Sequence, residues 1–335
     1  MNNQKQEKKP QQLSLNGLNH FCALEENLAL IKTHNLYHQI IINPAFNRLN
    51  AVSFLGAIDY LPSFKRLPKQ QRTRYEHSLN VAALAQLIAC KRGYSAELTK
   101  HLVVAGLLHD IGHPPLSHSV EPYLKEKFGF GHHEMGEMLL DGKVDLGKNL
   151  NQLLNKNLDI DFIKSLINCK ASQEDGGDLF SSKINLDTID GIIRSYSYIK
   201  PYSKLFSVES IALASFIYND KKNQSILDGF WNLKHSIYNY LITSGEGLLA
   251  DISSQYSIKE SERKLTTDDL FKNENSWHQK FSNVFTSIYS LNGRPVTMKK
   301  TQQPLSYTKR NYYIDYQEAE INERYLYTKN TQYLQ

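Results

Sequence analysis

The stretch GLLHDIGHPPLSH, running from Gly106 to His118, decides how this chain is read. It continues an apolar series, Leu98, Leu102, Val103, Ala105, Leu107 and Leu108, that recurs at helical spacing behind Ser95, a residue suited to cap a helix N-terminus. The helix must stop near Ile111, because Gly112 and the pair Pro114-Pro115 cannot sit inside it. His109 and Asp110 therefore fall at a buried helix C-terminus, with His113 and His118 close behind. Imidazole and carboxylate together suit a borderline divalent ion, and a mixed shell that leaves positions open can grip a phosphate. Neighbouring helical residues point about 100° apart, so His109 and Asp110 share one ion only where the chain turns away. Gly112 and Pro114 supply that turn.

Two more ligands have to come from elsewhere. The segment RYEHS, Arg74 to Ser78, offers His77 at the start of a preceding helix read over about 78–90 from Leu79, Ala82, Ala83, Leu87 and Ile88, with Gly93 where a C-terminal cap is expected. Asp187 offers a carboxylate from a later helix over 187–198, after a surface connection at 172–182 that contains Gly176-Gly177. Arg48 and Arg74 are candidate phosphate clamps, since guanidinium matches phosphate oxygens in a forked geometry.

The order His77, His109-Asp110, Asp187 resembles the H…HD…D signature of HD-domain metal-dependent phosphohydrolases, and the fuller wording is similar to the deoxynucleoside triphosphate triphosphohydrolases. RYEHS, HDIGHPPLSH-x-x-E and the following HHE carry the likeness, which spans roughly residues 40–200. It implies a helical HD domain in which His77, His109, Asp110 and Asp187 hold one divalent ion, a donor set that magnesium, manganese, iron, nickel and zinc all accept. It also places His113, His118, Glu121, His133 and Glu134 where the family has its proton-transfer and phosphate-contacting groups. Arg194 fits a later arginine of the pattern, and Asp190 an aspartate. The expected substrate is a nucleotide, most closely a deoxynucleoside triphosphate cleaved to deoxynucleoside and triphosphate, by a homo-oligomer, as related enzymes often assemble. Three positions depart: Thr188 replaces a cation, Gly191 a sugar-pocket tyrosine and Phe54 a base-contacting glutamine. All three departures fall on substrate grip. Another phosphomonoester or diester, such as a nucleotide monophosphate, is the alternative substrate.

The rest of the chain bounds this reading. Its 335 residues are 41% hydrophobic and 22% charged, ordinary for a globular protein. No run approaches a membrane span and the N-terminus MNNQKQEKKPQQ has no apolar signal core, so a cytoplasmic location and no membrane partner are expected. Cys22, Cys90 and Cys169 are isolated, without the spacing of a zinc or redox motif. The division expected is a disordered tail at 1–12, a helical HD domain at 13–245 and an accessory region at 246–335. That last region is read as small and mixed α/β, because runs such as RNYYIDY and RYLYTK suit short strands. No P-loop is present, since Gly142-Lys143 is followed by Val144, which disfavours kinase or GTPase chemistry. A competing class is a nucleic-acid-binding regulatory module, for which the net charge of +5 and Lys299, Lys300, Lys309 and Arg310 beside tyrosines speak. A solvated face explains those charges equally well.

Overall fold

The computed structural model describes residues 24–64, 68–201, 203, 207–218, 220–243, 245–261, 263–291 and 306–333. The tail at 1–12, Cys22, Lys299 and Lys300 lie outside them. The described helices of seven residues or more are α1 (Leu24–Thr33), α2 (Asn35–Ile42), α3 (Arg74–Arg92), α4 (Ala96–Leu108), α5 (Glu121–Phe128), α6 (His132–Leu140), α7 (Asp145–Asn157) and α8 (Ile160–Ile167). They continue as α9 (Leu186–Ile199), α10 (Val208–Phe216), α11 (Lys221–Ile237), α12 (Gly245–Lys259), α13 (Glu274–Lys280) and α14 (Ser282–Tyr289). One antiparallel hairpin, β1 (Ser306–Ile314) and β2 (Tyr325–Tyr333), completes the mainly α architecture. Among the described residues no helix is long and apolar enough to cross a membrane.

The centre is the antiparallel pair α3 and α4. Thr73 caps α3 by accepting from the Glu76 amide, and Gly93 ends it in the left-handed conformation at φ 67°. Ser95 caps α4 by accepting from the Leu98 amide at 3.1 Å. The two helices touch at Gly106, where a Cβ would meet the Ala82 backbone at 2.9 Å. Helix α9 lies against α3, and Asn185 caps it from the Thr188 amide at 2.7 Å, which sets Asp187 in its first turn. Gly112 permits a close approach: a Cβ there would sit 1.9 Å from the His132 carbonyl oxygen, so α6 can press its N-terminus onto the His-Asp turn.

The expected boundary near residue 246 falls at the start of α12, and buried side chains on both sides of it share one hydrophobic core. Helices α12, α13 and α14 fill much of the described part of 245–291, and α12 packs on the turn Gly56–Tyr60. Glu274, buried at the head of α13, accepts from the amides of Ser53 (2.8 Å) and Leu116 (3.0 Å) and from the hydroxyls of Ser53 (2.6 Å) and Tyr60. Leu116 and Ser117 hold φ of 62° and 47°, a left-handed turn that non-glycine residues adopt only when their surroundings over-determine it. Glu274 is one of those constraints. The strands form where the tyrosine-rich runs predict them, and the hairpin docks on α11. There the Trp231 indole donates to the Tyr313 carbonyl at 3.0 Å and Arg324 pairs with Asp228 through both carboxylate oxygens.

Candidate metal centre

His77 from α3, His109 and Asp110 from the end of α4 and Asp187 from α9 converge on one point. His77 Nε2 lies 3.0 Å from Asp187 Oδ1 and 3.2 Å from His109 Nε2, while Asp110 Oδ2 stands 3.6 Å from each imidazole Nε2. Ligand atoms in adjacent positions around an ion with bonds of about 2.1 Å are about 3.0 Å apart, so this spacing fits a single ion. The far ring nitrogens decide the tautomers. His77 Nδ1 is 2.6 Å from Asp190 Oδ2, and His109 Nδ1 is 2.8 Å from the Gly106 carbonyl oxygen. Both partners only accept, so each Nδ1 donates and each Nε2 presents its lone pair to the shared point. Burial would push His77 down, but hydrogen bonds to Asp187 and Asp190 and the charge of Asp110 raise it to about 9. The cluster calls for a positive charge, which the donor chemistry of a divalent ion meets.

The surrounding shell is tightly committed. Asp110 is buried, yet Arg74, His109 and His113 hold its carboxyl well below the usual range. Arg74 donates to Asp110 Oδ2 at 2.7 Å and to Ser117 Oγ at 3.1 Å, so it fixes a ligand and the strained turn. His113, proposed from sequence for proton transfer, is instead buried behind Asp110, with Nε2 3.1 Å from Oδ1, and burial and Arg74 push it well below its ordinary value. Arg48 is also corrected as a phosphate clamp: both its terminal nitrogens donate to carbonyl oxygens, of His113 at 2.7 Å and of Ile111. Arg194 grips Asp190 at 2.8 Å and the Gln71 carbonyl oxygen at 2.7 Å.

A second cluster lies beside the first. Glu121 Oε2 accepts from His118 Nδ1 and Oε1 from His132 Nδ1, each at 2.8 Å. Although Glu121 is buried, these bonds hold its carboxyl well below the usual range. His118 itself is exposed and turns its free Nε2 away from Glu121. His132, which the sequence analysis did not single out, stacks on His113 with centroids 4.1 Å apart. His133 opens on a shallow cleft shared with His109 and Lys164, whereas Glu134 caps α6 by accepting from the Gly131 amide at 2.8 Å. The sequence signal for His132 was its place directly after Gly131, at the end that Gly112 brings inward.

Two of the three departures, Phe54 and Gly191, are neighbours in space. Phe54 packs on His77 at 4.8 Å between centroids, with the Arg74 and Arg194 guanidinium groups 4.9 and 5.6 Å from its ring. A Cβ on Gly191 would touch Phe54 at 3.6 Å and Asp187 Oδ1 at 3.8 Å. The phenylalanine occupies space beside Gly191 that a larger side chain there would need.

Comparison with known proteins agrees with this geometry. Residues 74–168 match the HD domain family. The chain is similar to an uncharacterised protein of Methanocaldococcus jannaschii, 33% identical over 158 residues, which is 47% of this chain and 29% of that protein. It is also similar to the Dictyostelium discoideum homologue of the deoxynucleoside triphosphate triphosphohydrolase SAMHD1, 24% identical over 251 residues, 67% of this chain and 46% of that protein. The chain spans less than two thirds of the length of either. A hypothetical protein from Aquifex aeolicus shares its fold, with a TM-score of 0.63 at 17% identity over 89% of this chain and 91% of that one. Residues 74–168 are thus similar to the HD domain.

Proposed function

We propose that this protein hydrolyses phosphate esters of nucleotides with one divalent ion held by His77, His109, Asp110 and Asp187, a deoxynucleoside triphosphate being the substrate that the name of its Dictyostelium relative points to. The observation that carries the reading is the pair of opposed Nε2 lone pairs, completed by two carboxylates on the same point. A divalent ion bound there supplies Lewis-acid polarisation of a phosphoryl oxygen. The residues do the rest. The Asp187 side chain is 55% exposed, so the site opens to solvent on its side and a phosphate can enter there. Asp190, locked by Arg194, and the Gly106 carbonyl aim the two imidazoles, and Arg74 with His113 aims Asp110.

Glu121 gives His118 a defined tautomer: Nδ1 donates to the carboxylate, so Nε2 is the atom that moves a proton. Neutral, it can take one from an attacking water; protonated, it can give one to the leaving oxygen. Phe54 and Gly191 shape the wall beside the ligands and are the positions through which selectivity would differ from that of the triphosphohydrolases. The test is a screen of deoxynucleoside and ribonucleoside triphosphates and monophosphates with each of several divalent ions, with products separated by chromatography. Release of intact triphosphate supports the reading, and no hydrolysis of any nucleotide with any ion would refute it.

A further inference from the structure

The segment that carries His118 is anchored on both flanks. Upstream, Leu116 gives its amide to Glu274 at 3.0 Å, and the Ser117 hydroxyl donates to the Ser53 carbonyl oxygen at 2.6 Å while accepting from Arg74 at 3.1 Å. Downstream, the Ser119 hydroxyl accepts from the Ala57 amide at 2.8 Å and donates to Asp251 Oδ1. Gly56, at φ 61°, lets the facing turn close in, since a Cβ there would lie 2.2 Å from the Leu116 carbonyl oxygen and 2.4 Å from Ser119 Oγ. Asp251 comes from α12. That helix packs both on the turn Ser117–Ser119 and on α5, which opens with Glu121. Among the described residues no cation pairs with Asp251, and removal from water pushes its carboxyl up to about 7, with the serine hydroxyl pulling against it.

We infer that Asp251 is a positioning residue for proton transfer: from α12 it holds Ser119, and thereby sets the His118 imidazole against Glu121. This role depends on the proton transfer proposed for His118 above, and it brings into the reaction a helix outside the residues that match the HD domain. A carboxyl taken out of water without a cation costs stability, and a single hydroxyl offsets little of that cost. Packing alone therefore does not account for an aspartate here. The His118 side chain is 59% exposed, so its own contacts with the core do not fix it. Its pose comes from Glu121 and from the backbone that Leu116 and Ser119 anchor. Because α12 touches both the turn of His118 and the helix of Glu121, one rigid element governs how the two meet. Misplacing a reacting group by about 1 Å costs about 10²-fold in rate.

The experiment compares full-length wild type with Asp251→Leu, which removes the acceptor, and Asp251→Asn, which keeps it. Steady-state kinetics on the best nucleotide, with the most active divalent ion, are paired with proton–nitrogen correlation spectra of the histidine rings in the zinc-loaded protein. His118→Ala identifies the His118 signals. In Asp251→Leu, kcat should fall about 10²-fold with KM within about twofold and metal content unchanged, and the His118 ring should lose the Nδ1–H form that Glu121 selects. Asp251→Asn should restore both readouts. Ile258→Ala, a cavity at the far end of the same helix, should lower Tm and leave both alone. Ser119→Ala removes the other partner and carries the test where Asp251→Leu does not fold. A folded Asp251→Leu protein with wild-type kcat and an unchanged His118 tautomer overturns the inference, whatever its Tm. So does a loss of kcat that Ile258→Ala shares, which marks general destabilisation, or an Asp251→Asn protein as impaired as Asp251→Leu. If no nucleotide is hydrolysed, the proposed function falls and the ring spectra still decide: loss of the Nδ1–H form in Asp251→Leu but not in Asp251→Asn supports the positioning role, and its retention in both refutes it.

Discussion

His77 and His109 bring their Nε2 atoms to 3.2 Å, with the opposite ring nitrogen of each already donating to an oxygen. Two lone pairs cannot share that space without a cation between them. The carboxylates that raise His77 to about 9 favour a cation there, and a proton and a divalent ion compete for the place. Asp190 holds His77 in this pose at 2.6 Å and is itself held by Arg194 and by Asn80 at 3.0 Å. Asp190→Ala should therefore weaken metal affinity about 10- to 100-fold, the usual effect of removing a partner behind a ligand. Titration with a chelator-buffered metal series checks it, and unchanged affinity would show that Asp190 does not orient the imidazole.

The Glu121 carboxylate serves two imidazoles, His118 and His132, and only His118 reaches out to solvent. His118→Ala and Glu121→Gln should each lower kcat about 10²- to 10⁴-fold, the range of general acid–base catalysis, while the ion stays bound. His132→Ala should cost less, because it removes a neighbour and not the group that moves the proton. Metal content alongside kcat separates the roles. A His118→Ala protein as active as wild type would remove His118 from the mechanism.

Glu274 ties α13 to a strained turn that lies far away in the chain. Glu274→Ala leaves the amides of Ser53 and Leu116 without an acceptor, each worth about 1–3 kcal/mol when buried. The variant should lose several degrees of Tm at least, and with it the left-handed Leu116–Ser117 turn that precedes His118. Thermal unfolding followed by circular dichroism measures this. A wild-type Tm would mean that Glu274 does not brace the turn.

That dependence also explains which parts of the structure were legible from sequence. The end of α4 could be read because its causes are local: Gly112 and Pro114 stop the helix whatever packs on it. His77 and Asp187 followed from spacing and from resemblance. By contrast, Glu274 meets Ser53 across 221 positions, a contact that no local pattern announces. Nor does a sequence say which cations are spare. Arg48 and Arg74 read as phosphate clamps until their partners were seen.

Phe54 and Gly191 should behave as a pair. Gly191→Ala fits at ordinary contact distance, 3.6 Å from Phe54, and should keep the Tm within about 1–2 °C apart from helix propensity. Gly191→Tyr must push Phe54 off His77 and should destabilise by about 1–3 kcal/mol, a cost that Phe54→Ala in the same chain reduces. Denaturant unfolding of the two single variants and the double variant measures the coupling, and strictly additive effects would show that the two side chains do not compete for one space.

The central claim is that four side chains hold one ion on which hydrolysis depends, and elemental analysis of purified protein beside the His109→Ala, Asp110→Ala double variant tests it most directly. Wild type should carry about one divalent ion per chain, and the double variant should carry none, stay folded on its own helical core and lose nucleotide hydrolysis. A metal-free, folded double variant that still hydrolyses nucleotides would contradict the account.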